Sequence, residues 1–135
     1  MRPNIYLDID GVLLANEKFL AQGAEEFIEY VVSRYPTFWL TTHCMDNNPT
    51  LAVNNVGKLC KPKTLEFLKQ IKPTAWKTAK TEAIDFSHPF LWFDDDLYDD
   101  EREELLRRDA LSSWIEVDLN KYPDQLKTFF SHHLE

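Results

Sequence analysis

The chain has 135 residues, 44% of them hydrophobic and 28% charged, and a net charge of −8. That length suits one domain spanning residues 1–135 and hardly two. No apolar run approaches the roughly 20 residues of a membrane helix, and residues 1–4 lead straight into an apolar segment, so a cytoplasmic protein without signal peptide or membrane partner is expected.

The first predicted strand covers about residues 4–9, with Ile5, Leu7 and Ile9 apolar and Tyr6 between them. A helix is predicted next from Leu20, Ala24, Phe27 and Val31, with Ile28 and Val32 widening the stripe. Pro36 closes it, because the residue before a proline resists helical geometry. Thr37 to Thr41, TFWLT, reads as a second buried strand. NNPTLAVNN carries Pro49 in the first turn of a helix. KTLEFLKQI places Leu65, Leu68 and Ile71 on one helical face, and PTAWK reads as a short strand.

Phe90 to Phe93, FLWF, contains no polar residue, as expected of a strand covered on both faces in a parallel sheet. EREELLRRDAL is helical in pattern, Trp114 to Val117 a strand, and PDQLKTFFSHHL a last helix burying Leu126, Phe129 and Phe130. The alternation predicts an α/β three-layer sandwich: a Rossmann-like parallel sheet of about five strands with helices on both faces. In such sheets ligands bind beyond the carboxyl ends of the strands, at the topological switch point.

Charge is unevenly distributed. Residues 94–104 hold eight acids and one base, whereas residues 58–80 hold seven lysines and only Glu66 as an acid. The lysine-rich segment is a candidate rim for attracting phosphate. Cys44 and Cys60 are the only cysteines and are expected to be free thiols.

The strand ends collect oxygen ligands. The first ends in Asp8-Ile9-Asp10-Gly11, the second in Thr41-Thr42, and FLWF in Asp94-Asp95-Asp96. Two carboxylates about 4 Å apart repel by roughly 4 kcal/mol at an effective dielectric near 20, so such a set calls for a cation. Oxygen donors without supporting His or Cys select a hard ion, and Mg²⁺ fits best. A calcium loop does not fit, because the acid cluster lacks the central glycine and the glutamate at its twelfth position. His43-Cys44 has no second ligand pair at zinc spacing.

With these residues the chain resembles the haloacid dehalogenase-like (HAD) superfamily in its phosphatase form. The resemblance rests on a strand ending in Asp8-Ile9-Asp10-Gly11-Val12-Leu13, then FWLTT, a lysine within WKTAKTEAI where KTEAI reads as a helix start, and FLWFDDD, in that order over residues 5–96. It implies a Mg²⁺-dependent phosphatase working through an aspartyl-phosphate. Asp8 would be the nucleophile and metal ligand, and Asp10 the general acid and base, with its backbone carbonyl on the metal. Gly11 would let the chain bend so that Asp10 turns inward at the substrate. Thr41 would donate to a phosphoryl oxygen, with Thr42 as the register alternative. Lys80 or its rival Lys77 would neutralise charge. Asp95 would reach the metal with Asp94 as direct or outer partner, Asp99 would support the site, and Asp96, Asp100 and the glutamates beyond would be solvated.

Too little chain separates the motifs for a cap domain with its own sheet, so a capless or minimally capped form is expected. Its open site would admit a small phosphorylated molecule or the phosphorylated end of a macromolecule, nucleic-acid ends included. Trp76, next to Lys77, is a candidate pocket wall. A signalling receiver domain has the opposite motif order. A non-catalytic phosphate- or metal-binding module and a phosphotransferase are the alternatives left open.

Overall fold

The computed structural model of the chain describes residues 2–129. Strand β1 (Asn4–Leu7) is followed by an antiparallel hairpin, β2 (Leu14–Asn16) and β3 (Phe19–Leu20), then helix α1 (Ala24–Arg34) and strand β4 (Thr37–Trp39). Helices α2 (Thr50–Gly57) and α3 (Pro62–Leu68) and a 3₁₀ turn at Lys80–Ala83 lead to β5 (Phe90–Asp94). Helix α4 (Asp99–Arg107), a 3₁₀ turn at Leu111–Ser113, β6 (Trp114–Glu116) and α5 (Gln125–Thr128) complete the order. The main sheet has four strands in the order β4-β1-β5-β6, each pair parallel.

Both faces of this sheet are covered, which explains strands without polar residues. Ile5, Leu7 and Phe93 enter one core cluster with Phe27, Ile28 and Val31 of α1, Val56 of α2, Leu68 of α3 and Leu126 of α5. Tyr6, Phe90 and Trp92 enter a second cluster with Leu40, Ile84 and Leu105 of α4. Phe27 meets Phe93 edge to face at 5.3 Å, and burying one such side chain contributes about 1.5–3 kcal/mol. Helix α1 ends where expected: Tyr35 is extended, at φ −134° and ψ 148°, because Pro36 follows.

Several local expectations give way to tertiary context. Leu20 is not on α1 but in β3, and Gly23 at φ 75° separates the two elements. Segment 73–77 is not a strand among the described residues, so the main sheet has four strands rather than about five. Lys72 makes a single parallel bridge to Phe38, and Ala75 an antiparallel one to Asp46. Pro73 lies between them and has no N–H to extend the ladder. The KTEAI segment forms only the 3₁₀ turn, and Ile71 is buried beyond the end of α3. The expected burial of Phe130 lies outside the described residues.

Cys44 and Cys60 are free thiols. Burial raises the pKa of both, that of Cys60 to about 11. Among the described residues no helix is long and apolar enough to cross a membrane.

Candidate active site

β1 lies between β4 and β5, so the chain leaves it to one side first and returns to pair on the other. This is the switch point of the sheet. The strand ends there are flush: Leu40 N–H donates to Leu7 O at 2.8 Å and Asp8 N–H to Phe93 O at 3.1 Å. Because Leu7 pairs with Phe93, Asp8 is carried alongside Asp94. Asp8, Asp94 and Asp95 each offer an oxygen within 4.8 Å of the others.

Asp94 is the anchor. Its side chain is 2% exposed. Oδ2 accepts from Lys80 Nζ at 2.6 Å and Trp92 Nε1 at 3.2 Å, and Oδ1 from the backbone N–H groups of Asp95 and Asp96 at 2.8 and 3.3 Å. With four donors in place, Asp94 has less capacity left for a ligand than Asp8 or Asp95. The Lys80 ammonium also reaches Asp8 Oδ2 at 3.4 Å.

The backbone of Lys80 is itself held, its N–H donating to Glu101 Oε2 at 2.9 Å. Glu101 Oε1 accepts from Tyr98 N–H at 3.2 Å, at the start of α4. Glu101 was expected to be solvated, yet it is 3% exposed. Its sequence signal is a glutamate at the third position of a helix, where a carboxylate folds back on the preceding N–H groups. Asp99 is exposed in the first turn of α4 and does not line the cavity.

The electrostatics follow from this crowding. Burial and then the Asp94 charge push Asp8 up to about 8, against the opposing pull of Lys80. Burial and Asp94 likewise push Asp95 up to about 6. For Lys80, burial pulls the pKa down, but Asp8 and Asp94 outweigh it and the ammonium is held above its ordinary value. The two acids are thus destabilised as anions at neutral pH, the condition a bound cation relieves.

The segment after Asp8 is a tight turn in which Ile9 O accepts from the N–H groups of Val12, Leu13 and Leu14. Gly11 sits there at φ 78°, and a Cβ on it would stand 2.3 Å from Asp95 Oδ2. The glycine is therefore needed both for the left-handed backbone and for the approach of Asp95. Asp10 lines the cavity with its side chain 66% exposed. Its Oδ2 lies 2.8 Å from His43 Nε2, and His43 Nδ1 lies 2.8 Å from Asn55 Nδ2 on α2. Sequence reading finds no zinc partner for His43 and assigns no role to Asn55, because no local pattern links residues 10, 43 and 55.

A cavity of about 280 Å³ opens over these groups. Thr42 lines it, and Thr41 does not. Thr41 is fully buried, its Oγ1 accepting from His43 N–H at 3.3 Å. Strand parity explains the difference: Tyr6 and Leu40 share one core cluster and Trp39 belongs to the other, so alternation brings Thr42 to the side of Asp8. Of the two threonines the sequence offers, Thr42 is thus the one whose side chain borders the cavity, and Thr41 is the buried one.

Lys80 lines the cavity and Lys77 is exposed outside it. Of the lysine-rich segment 58–80, only Lys80 is among the residues that line the cavity. Lys63 pairs with Glu29 and Lys69 with Glu66, and Lys80 is the only base among the lining residues against Asp8, Asp10, Asp94, Asp95, Asp96 and Glu101. Trp76, Thr78 and Tyr98 complete the wall.

No protein-family model, curated protein or solved structure matches the chain. Asp8 and Asp95, with Asp94 beside them, are an all-oxygen donor set, and both ring nitrogens of His43 are engaged elsewhere. That chemistry fits a hard divalent cation better than zinc or another soft ion.

Proposed function

We propose that the chain is a Mg²⁺-dependent phosphatase of the HAD type, acting through a phosphorylated Asp8. The observation that carries this reading is the convergence of Asp8, Asp94 and Asp95 within 4.8 Å, with the Lys80 ammonium 3.4 Å from Asp8. The order β4-β1-β5-β6 and a core cluster on each face support a three-layer, Rossmann-like frame. Between β4 and the 3₁₀ turn at Lys80 there are only α2 and α3 among the described residues. That supports a capless or minimally capped form, open to a small phosphorylated molecule or a phosphorylated macromolecular end.

Asp8, Asp95 and the backbone of Asp10 would hold the cation, with Asp94 as an outer partner. When bound, the cation neutralises the acidic cavity and the charge on the phosphoryl oxygens. Asp8 attacks phosphorus as the bond to the leaving oxygen breaks, and Asp10 gives that oxygen its proton. Asp10 then takes a proton from water as the water attacks the same phosphorus, which frees Asp8. Lys80 offsets negative charge on the nucleophile and phosphoryl group throughout, and Thr42 donates to a phosphoryl oxygen.

The test is hydrolysis of p-nitrophenyl phosphate with millimolar Mg²⁺. Turnover by the native chain, lost on chelation and lost in Asp8→Asn, is the expected result. Undiminished turnover in Asp8→Asn rejects the nucleophile and with it the mechanism.

A further inference from the structure

We propose that His43, oriented by Asn55, is a positioning residue that holds the Asp10 carboxyl in the orientation required for proton transfer. The inference rests on the phosphatase reading above and deepens it.

Asp10 stands in a turn rather than on a strand, with an isolated bridge to Leu14 as its nearest regular pairing. Its side chain is 66% exposed, and His43 is its one side-chain hydrogen-bond partner among the described residues. A carboxyl so placed samples several rotamers unless it is tied, and displacement by about 1 Å can cost about 10²-fold in rate.

His43 is well placed to tie it. The imidazole side chain is 18% exposed, and its backbone N–H is fixed on Thr41 Oγ1. Asn55 Nδ2 donates to Nδ1 at 2.8 Å, which leaves Nδ1 as the acceptor and the ring proton on Nε2, facing Asp10 Oδ2. One Asp10 oxygen is thereby pinned by a donor. The other is left to carry the proton that passes to the leaving oxygen as its bond to phosphorus breaks. Asn55 comes from α2, so an element outside the four sequence motifs orients the acid.

The decisive readout is the dependence of kcat/KM on the leaving group. This constant reports formation of the phosphorylated Asp8, where the leaving oxygen needs its proton. A nitrophenolate departs without help, whereas an alkoxide does not. With an aryl and alkyl phosphate series, His43→Ala is expected to lower kcat/KM for alkyl phosphates by about 10–100-fold and for 2,4-dinitrophenyl phosphate by no more than about threefold. Asn55→Ala should steepen the dependence in the same direction by a smaller factor, and His43→Gln, which retains a donor, should recover part of the loss. In an Asp10→Asn background, His43→Ala should add almost nothing.

An equal loss across the series, an unchanged slope in Asn55→Ala, or full additivity with Asp10→Asn overturns the positioning role while leaving the phosphatase reading intact. Absence of turnover in the native chain overturns both.

Discussion

The two sides of the cavity are built on opposite plans. On the β5 side, Asp94 is saturated by four donors, and Lys80 is locked between Asp94, Asp8 and the Glu101 carboxylate that holds its backbone. On the other side, the Asp10 side chain is mostly exposed and, among the described residues, held by one side-chain hydrogen bond, to His43. A saturated, desolvated charge cluster is a structural commitment: removing one member strands the others. A tethered surface carboxyl costs the fold little and is free to exchange protons. The contrast predicts that variants on the β5 side report first on stability and variants on the Asp10 side first on rate.

The largest effect is expected at Lys80. Lys80→Met leaves Asp8 and Asp94 facing each other without their cation, and should cost about 3–5 kcal/mol in urea unfolding of the metal-free protein. A loss under about 1 kcal/mol would show that the β5 side is not the committed side.

Asp8 should behave in the opposite sense. Its carboxyl titrates near 3.8 ordinarily and near 8 in the fold. The folded state therefore retains a proton that the unfolded state has lost across that interval. Metal-free stability should fall as pH rises from about 4 to about 8 and level off beyond it. Asp8→Asn should flatten this decline and raise the metal-free melting temperature near pH 8 by several degrees, about 4–8 °C per kcal/mol for a domain near this size. In the native chain Mg²⁺ at about 100 times its dissociation constant should restore about 2.7 kcal/mol. The Mg²⁺-induced shift at fixed metal should be larger at pH 8 than at pH 6, because binding must release the protons that Asp8 and Asp95 retain. Thermal melts with and without Mg²⁺ across this range read both effects, and a pH-independent shift would contradict the raised acids.

The smallest stability effect belongs to Asp10. Asp10→Asn should stay within about 0.5 kcal/mol of the native chain while lowering kcat/KM for alkyl phosphates by about 10²–10⁴-fold. A destabilised Asp10→Asn would erase the distinction between the two sides.

Much of the frame was legible in the chain itself. Apolar runs ending in acids marked β1 and β5, and Pro36 marked the end of α1. The hairpin β2–β3 was not legible, because its strands are only three and two residues long and Leu20 falls by chance on the helical spacing of Ala24 and Phe27. The segment around Pro73 has the composition of a strand, but composition does not register the one missing N–H that limits its pairing to a bridge.

The site divides in the same way. Local pattern brought Asp8, Asp10, Asp94 and Asp95 to strand ends, because burial on both faces forces an apolar run and the chain turns polar where the sheet stops. It favours Lys80 over Lys77 and Thr41 over Thr42 without deciding either pair. Those choices are made by strand parity and by contacts between residues far apart in sequence, as in the tie from Glu101 to the Lys80 backbone. The raised acids and the Asn55–His43–Asp10 line are likewise products of packing alone. A sequence fixes which groups are available at the end of each strand, while desolvation and hydrogen-bond direction exist only once the strands and helices are side by side.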